Sequence, residues 1–71
     1  MNENARLRYI YAQIDLETNM CTGVETTTIC LDDDPEYVAI PTLDESYLWK
    51  YYINGAWYED AAGTIPWTPP V

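Results

Sequence analysis

The sequence predicts a mainly β protein: a small antiparallel sheet of four to five strands, joined as a meander of hairpins, with extended arms at both ends. Three observations carry this expectation. Apolar and polar side chains alternate from Leu7 to Leu16, the period-2 signature of a strand with one buried face. Asn54-Gly55 separates two aromatic runs, Leu48 to Ile53 and Ala56 to Asp60, and is the strongest short-range hairpin signal because both residue types tolerate positive φ. Between these regions, the polar breaks at 17–19 and 32–35 are of loop size.

In chain order, 1–6 is a polar arm. A single β domain spans 7–60, and 61–71 is an extended tail. The first strand, Leu7 to Leu16, places Arg8, Ile10, Ala12, Ile14 and Leu16 on one side, and the Ile-rich side is expected to form the core. Tyr9 and Tyr11 on the other side are expected to cover the rim or enter an interface. Asn19 is a natural left-handed residue for the loop that follows. A second strand, rich in β-branched residues, is expected from Met20 to Leu31. Gly23 interrupts it and is read as a bulge that changes the phase of alternation between Cys21 and Val24. Pro35 restricts Asp34 and closes the Asp32-Asp33-Asp34 loop. A short strand, Glu36 to Pro41, follows. The stretch 42–47 is expected to hold a single helical turn capped by Thr42 or Asp44, with Leu43, Tyr47 and Leu48 plugging the open end of the sheet.

Register in the last hairpin follows from its turn. If Asn54 and Gly55 form the loop, Ile53 faces Ala56, Tyr52 faces Trp57, Tyr51 faces Tyr58, and Lys50 faces Glu59. The layer of Trp49, Tyr51, Ile53, Ala56 and Tyr58 is expected to face the core. The layer of Lys50, Tyr52, Trp57 and Glu59 is expected to face outward as a contact surface. After Ala61-Ala62-Gly63-Thr64, the Pro-rich run Ile65 to Val71 is extended. Its Trp67 either folds back onto the sheet or straps a neighbouring chain.

Composition narrows the chemistry. A chain of 71 residues makes a marginal core, so disulfides, metals, oligomerisation or docking on a larger body are the natural sources of extra stability. Cys21 and Cys30 in one extended segment would stand roughly 30 Å apart, and two buried thiols are expected rather than a bridge. With no histidine and no zinc spacing, neither a metal nor a cofactor is expected; the three aspartates lack the alternate spacing of a calcium loop. The net charge of −9 repels nucleic acid and anionic membrane surfaces. No apolar leader or membrane-length run is read, so a soluble chain made in a cytoplasm is expected. With no histidine and one lysine the bases for a nucleophile shrink to carboxylates, no phosphate loop is present and the chain is too short to enclose a cleft, so the chain is read as not an enzyme. Seven Tyr, three Trp and no Phe suit surfaces half buried against another body.

Several stretches fall in the order seen in a known group of proteins: Tyr11-Ala12-Gln-Ile-Asp15, Cys21-Thr-Gly23-Val24, Val38-Ala-Ile40, a short acidic link ending in Leu, and Lys50-Tyr51-Tyr52-Ile53-Asn54-Gly55-Ala56-Trp57. Over roughly 9–60 the chain resembles short virion-associated proteins and tail-fibre ends of bacteriophages. Where that family carries Leu-Gly-Lys, this chain has Leu48-Trp49-Lys50, and its tail with Trp67 and Pro69-Pro70 is longer than in many members. The resemblance implies a structural or decoration component of a phage head, neck or tail. It would be made in the host cytoplasm, located in the virion, and present in symmetric copies or as a homo-oligomer bound to other virion proteins. Tyr9, Tyr11, Trp49, Tyr52, Trp57 and Trp67 are the candidate partner-binding residues. The alternative is a carbohydrate- or host-receptor-binding module in which exposed tryptophans stack on sugar rings.

Overall fold

The computed structural model describes residues 8–70; the expected arm at 1–6, with Leu7 and Val71, lies outside them. Five strands form one antiparallel sheet: β1 (Tyr9–Asp15), β2 (Met20–Thr27), β3 (Tyr37–Ala39), β4 (Tyr51–Ile53) and β5 (Ala56–Tyr58). Their order across the sheet is β3-β1-β2-β4-β5. Two hairpins therefore sit side by side, and β3 returns to the free side of β1.

The β1–β2 hairpin is the scaffold. Asn19 takes φ 66° in its turn, as its side chain allows. Ile10, Ala12 and Ile14 face Thr26, Val24 and Cys21 in turn, and the register shifts between Gln13 and Ile14. Gln13 pairs with Gly23 and Ile14 with Cys21, so Thr22 is the extra residue of a β-bulge. The bulge decides packing. Cys21 and Val24, three positions apart, both face the core cluster, which a regular strand would forbid.

The core is formed by Ala12, Ile14, Cys21, Ile40 and Tyr47, with Ile10, Val24, Val38, Tyr52, Trp57 and Trp67 packed around it. Asp44 caps a 3-10 turn, Glu45–Tyr47, by accepting from the Ser46 N–H, and the turn delivers Tyr47, fully buried, over the sheet. Leu43, expected beside it as a plug, is exposed.

Several expectations are corrected. β2 ends at Thr27 rather than Leu31, because the Thr27 hydroxyl accepts from Ile29 N–H and turns the chain out of the sheet. That turn leaves Cys30 exposed, so only Cys21 is a buried thiol, and both are free. β3 is shorter than Glu36 to Pro41, although Ile14 N–H to Glu36 O and Ile40 N–H to Ile10 O prolong its pairing. Leu16 is exposed, since β1 ends at Asp15 and the turn carries Leu16 past the core.

The last hairpin has the predicted register, with Asn54 at φ 51° and Gly55 at φ 84°. Its two faces are the reverse of those expected. Tyr52 and Trp57 pack against the core, whereas Trp49 stands in solvent. The cause lies outside the hairpin: the 3-10 turn and the tail both arrive on the Tyr52/Trp57 side. Trp57 and Trp67 meet Tyr47 edge-on, with centroids 5.1 and 5.2 Å away.

The tail folds back. The Asp60 carboxylate accepts from Thr64 N–H, Thr64 hydroxyl and Ile65 N–H, closing a turn. Glu59 N–H then bonds Ile65 O, and Trp67 N–H bonds Trp57 O. Lys50 does not form the expected cross-strand pair with Glu59. The ladder stops at Tyr51–Tyr58, and the Lys50 ammonium lies 5.0 Å from the centre of the Trp67 ring, a cation–π contact.

Candidate binding surface

The six residues expected to bind a partner divide into three sets: Tyr52, Trp57 and Trp67; Tyr9 and Tyr11; and Trp49 by itself. Tyr52, Trp57 and Trp67 form one aromatic cluster with Tyr47. Tyr52 and Trp57 lie 5.0 Å apart, and Trp57 and Trp67 6.0 Å. These rings are half-buried and engaged with one another, so they build the domain rather than present a docking face. Tyr47 links them, and burial pushes its phenol above its ordinary value.

Tyr11 is fully buried on the opposite face of the sheet, which corrects its expected rim position. Its hydroxyl donates to Asp32 at 2.8 Å and accepts from Leu31 N–H at 2.7 Å. The phenol thus pins the 28–36 loop over the sheet. Burial is the main cause that pushes it up to about 12, and Asp32 adds to this. Tyr9 stacks on Tyr11 at 6.2 Å, and Tyr37 meets it edge-on at 5.9 Å. Tyr9 and Tyr37 are half-exposed. The Tyr37 phenol is also held above its ordinary value, first by burial and then by Glu25, Asp34 and Glu36.

The acidic loop borders an open cleft of about 550 Å³, lined by Asp32, Asp33, Asp34, Tyr37, Val38 and Tyr52 among others. Local sequence patterns do not reveal this cleft, because it joins the 32–35 loop and β3 to Tyr52 of β4, segments distant in the chain. Among the described residues no group of three or more His, Cys, Asp or Glu is arranged to hold a metal ion, and no helix is long and apolar enough to cross a membrane.

Trp49 is different from the other aromatic residues. It is 61% exposed and is the one aromatic side chain among the described residues that falls in the exposed class. Its backbone adopts φ 72°, the left-handed region that a bulky side chain rarely occupies. The conformation follows from the route of the chain. Leaving the 3-10 turn, Leu48 N–H bonds Glu45 O and Lys50 N–H bonds Tyr47 O, while Trp49 N–H must reach Cys21 O. Trp49 makes the reversal that joins the turn to β4. Its indole stands in solvent just before β4, where Tyr51 and its partner Tyr58 are half-exposed.

Comparison of the chain with protein-family models, curated proteins and solved structures gives no match.

Proposed function

We propose that this chain is a protein-binding structural component of a bacteriophage particle, docked on its neighbours through Trp49 and the adjoining Tyr51 layer. The observation that carries the docking role is the combination of strain and exposure at Trp49. A non-glycine residue in left-handed backbone costs roughly 1–2 kcal/mol, and the indole recovers little of that while it stands in water. Glycine would make the same reversal without strain. A large aromatic ring retained there gains its stabilisation when another surface covers it, as buried tryptophans do at the centres of interfaces.

Placement on a phage particle rests on the sequence resemblance. The left-handed backbone at 49 supports it, because this is the position at which the resembling proteins carry glycine. A small core with an aromatic outer layer also suits a chain present in symmetric copies and steadied by its neighbours.

The test is incorporation. Particles purified from a phage whose genome encodes this chain are expected to contain it in many copies, and Trp49→Ala is expected to lose that attachment while remaining folded. Complete absence of the wild-type chain from such particles would sink the placement. Absence combined with Trp49-dependent binding to glycans would turn the reading to a carbohydrate-binding module.

A further inference from the structure

The fold covers or shortens most of its sheet edges and leaves one open. Beside β5, the tail occupies the outer side through the Tyr58–Pro66 bridge. β3 is only three residues long and is followed closely by Pro41, a device that blunts an edge. The outer side of β2 is treated otherwise. Its register with β4 is the single pair Met20–Tyr51, extended by the bonds between Cys21 and Lys50 and Trp49. Among the described residues, nothing bonds to the backbone of Thr22–Thr27 from that side. This stretch contains neither proline nor lysine, the residues that commonly protect an edge.

Parity identifies the groups that face outward. The Ile10 carbonyl and the Ile14 N–H bond to the β3 side, so Tyr9, Tyr11 and Gln13 turn their backbone groups toward β2. Their partners Thr27, Glu25 and Gly23 answer them. The N–H and C=O of Val24 and Thr26 therefore point to the open side. At its Cys21 end this edge stops against Trp49, whose reversal takes the chain out of the ladder.

We infer that the Thr22–Thr27 edge is a strand-addition site for an extended segment of another protein in which lysine or arginine alternates with valine, isoleucine or threonine, the end of the segment abutting Trp49. The inference rests on the protein-binding reading above and supplies its mode of contact. Main-chain bonds hold such a segment and alternate side chains select it. On one face the added strand lies beside Glu25, whose carboxylate is exposed, and a cation is favoured opposite it in a chain of net charge −9. On the other it lies beside Val24, at the margin of the core, where a β-branched side chain extends the apolar layer. A second copy of this chain fits poorly. The register that uses Val24 and Thr26 of both copies sets Glu25 against its own counterpart, and each chain carries a net charge of −9.

The test uses amide hydrogen exchange by NMR on the full chain, with the peptide acetyl-Thr-Lys-Val-Lys-Val-Lys-Thr-amide as probe. In the free chain Val24 and Thr26 are expected to exchange fast and Glu25 slowly. The peptide should slow Val24 and Thr26 by at least about tenfold, and a version with glutamate for each lysine should not. Glu25→Lys should weaken the lysine peptide by about tenfold and leave the sheet amides protected. Thr26→Pro, which removes an outward donor only, should abolish binding. Protection of Val24 and Thr26 already in the dilute free chain, or no effect of the peptide, overturns the inference. Protection that grows with protein concentration alone also overturns it and makes a second copy the occupant. If the peptide fails while incorporation into particles still depends on Trp49, strand addition falls and the docking role stands. If the peptide binds but the chain is absent from particles, strand addition stands and the phage placement falls.

Discussion

At the scale of single residues, two side chains define what the backbone does locally. Trp49 holds a left-handed conformation that glycine would adopt without strain while keeping the bond from the residue 49 N–H to Cys21 O, so Trp49→Gly should raise stability by about 1 kcal/mol. Thermal unfolding should show this as a midpoint several degrees higher, together with loss of docking. A fall in midpoint would mean that the indole contributes to the core and would remove the basis for its docking role. Tyr11 acts in the opposite sense. Tyr11→Phe strips the Leu31 N–H and Asp32 of their shared partner and should cost about 1 kcal/mol. Exchange at the Leu31 amide should accelerate while the β1–β2 amides stay protected. Asn19, Asn54 and Gly55 were legible from sequence, because their residue types tolerate the φ values that the turns require. Trp49 was not, since nothing in its type favours such a backbone and only the route from the 3-10 turn to Cys21 imposes it.

Among the elements, the Asn54-Gly55 hairpin and the Asp60 turn bring the tail home. Gly55→Ala meets no neighbouring atom at the new Cβ, so its cost is purely conformational, about 1–2 kcal/mol. Circular dichroism should report this as earlier loss of structure in denaturant. Hydrogen bonds from the Thr64 hydroxyl, and then from Ile65 N–H, hold the Asp60 carboxyl below the usual carboxylate range. A depressed folded-state value contributes stability that is present above the ordinary value of about 4 and is lost as pH falls through the lowered one. The difference in denaturant midpoint between the wild type and Asp60→Ala should therefore be level at neutral pH and shrink below about pH 4. A difference independent of pH would assign the effect to packing alone. Strand positions and the hairpin register were readable because alternation and turn chemistry are local. The face of that hairpin was misread because both faces carry aromatic rings. The choice between them fell to Tyr47 and Trp67, which reach the hairpin from elsewhere in the chain.

On the scale of the whole molecule, the protein is a slab of 48 × 23 × 16 Å with a radius of gyration of 13.1 Å, against roughly 11 Å for an average domain of this length. Such a shape exposes much surface for a small core. Its net charge of −9 is met by few cations, and among the described residues the cation Lys50 rests on Trp67 rather than on a carboxylate. Self-repulsion therefore outweighs internal pairing. Raising sodium chloride from about 0.05 to 0.5 M at neutral pH should raise the thermal midpoint, because the Debye length shortens across that range. A lower midpoint in salt would reveal ion pairs that hold the fold together. The sequence by itself determined the β class, the tight turns, a bulge between Cys21 and Val24 and the pairing of Tyr51–Ile53 with Ala56–Tyr58 in the last hairpin, because each depends on residues a few positions apart. Only the tertiary structure decided which aromatic layer is inside, that Tyr11 is buried, that the tail returns and that one edge of β2 stays open. Those outcomes depend on which distant segment reaches a face first, and a local pattern of side chains does not encode that competition.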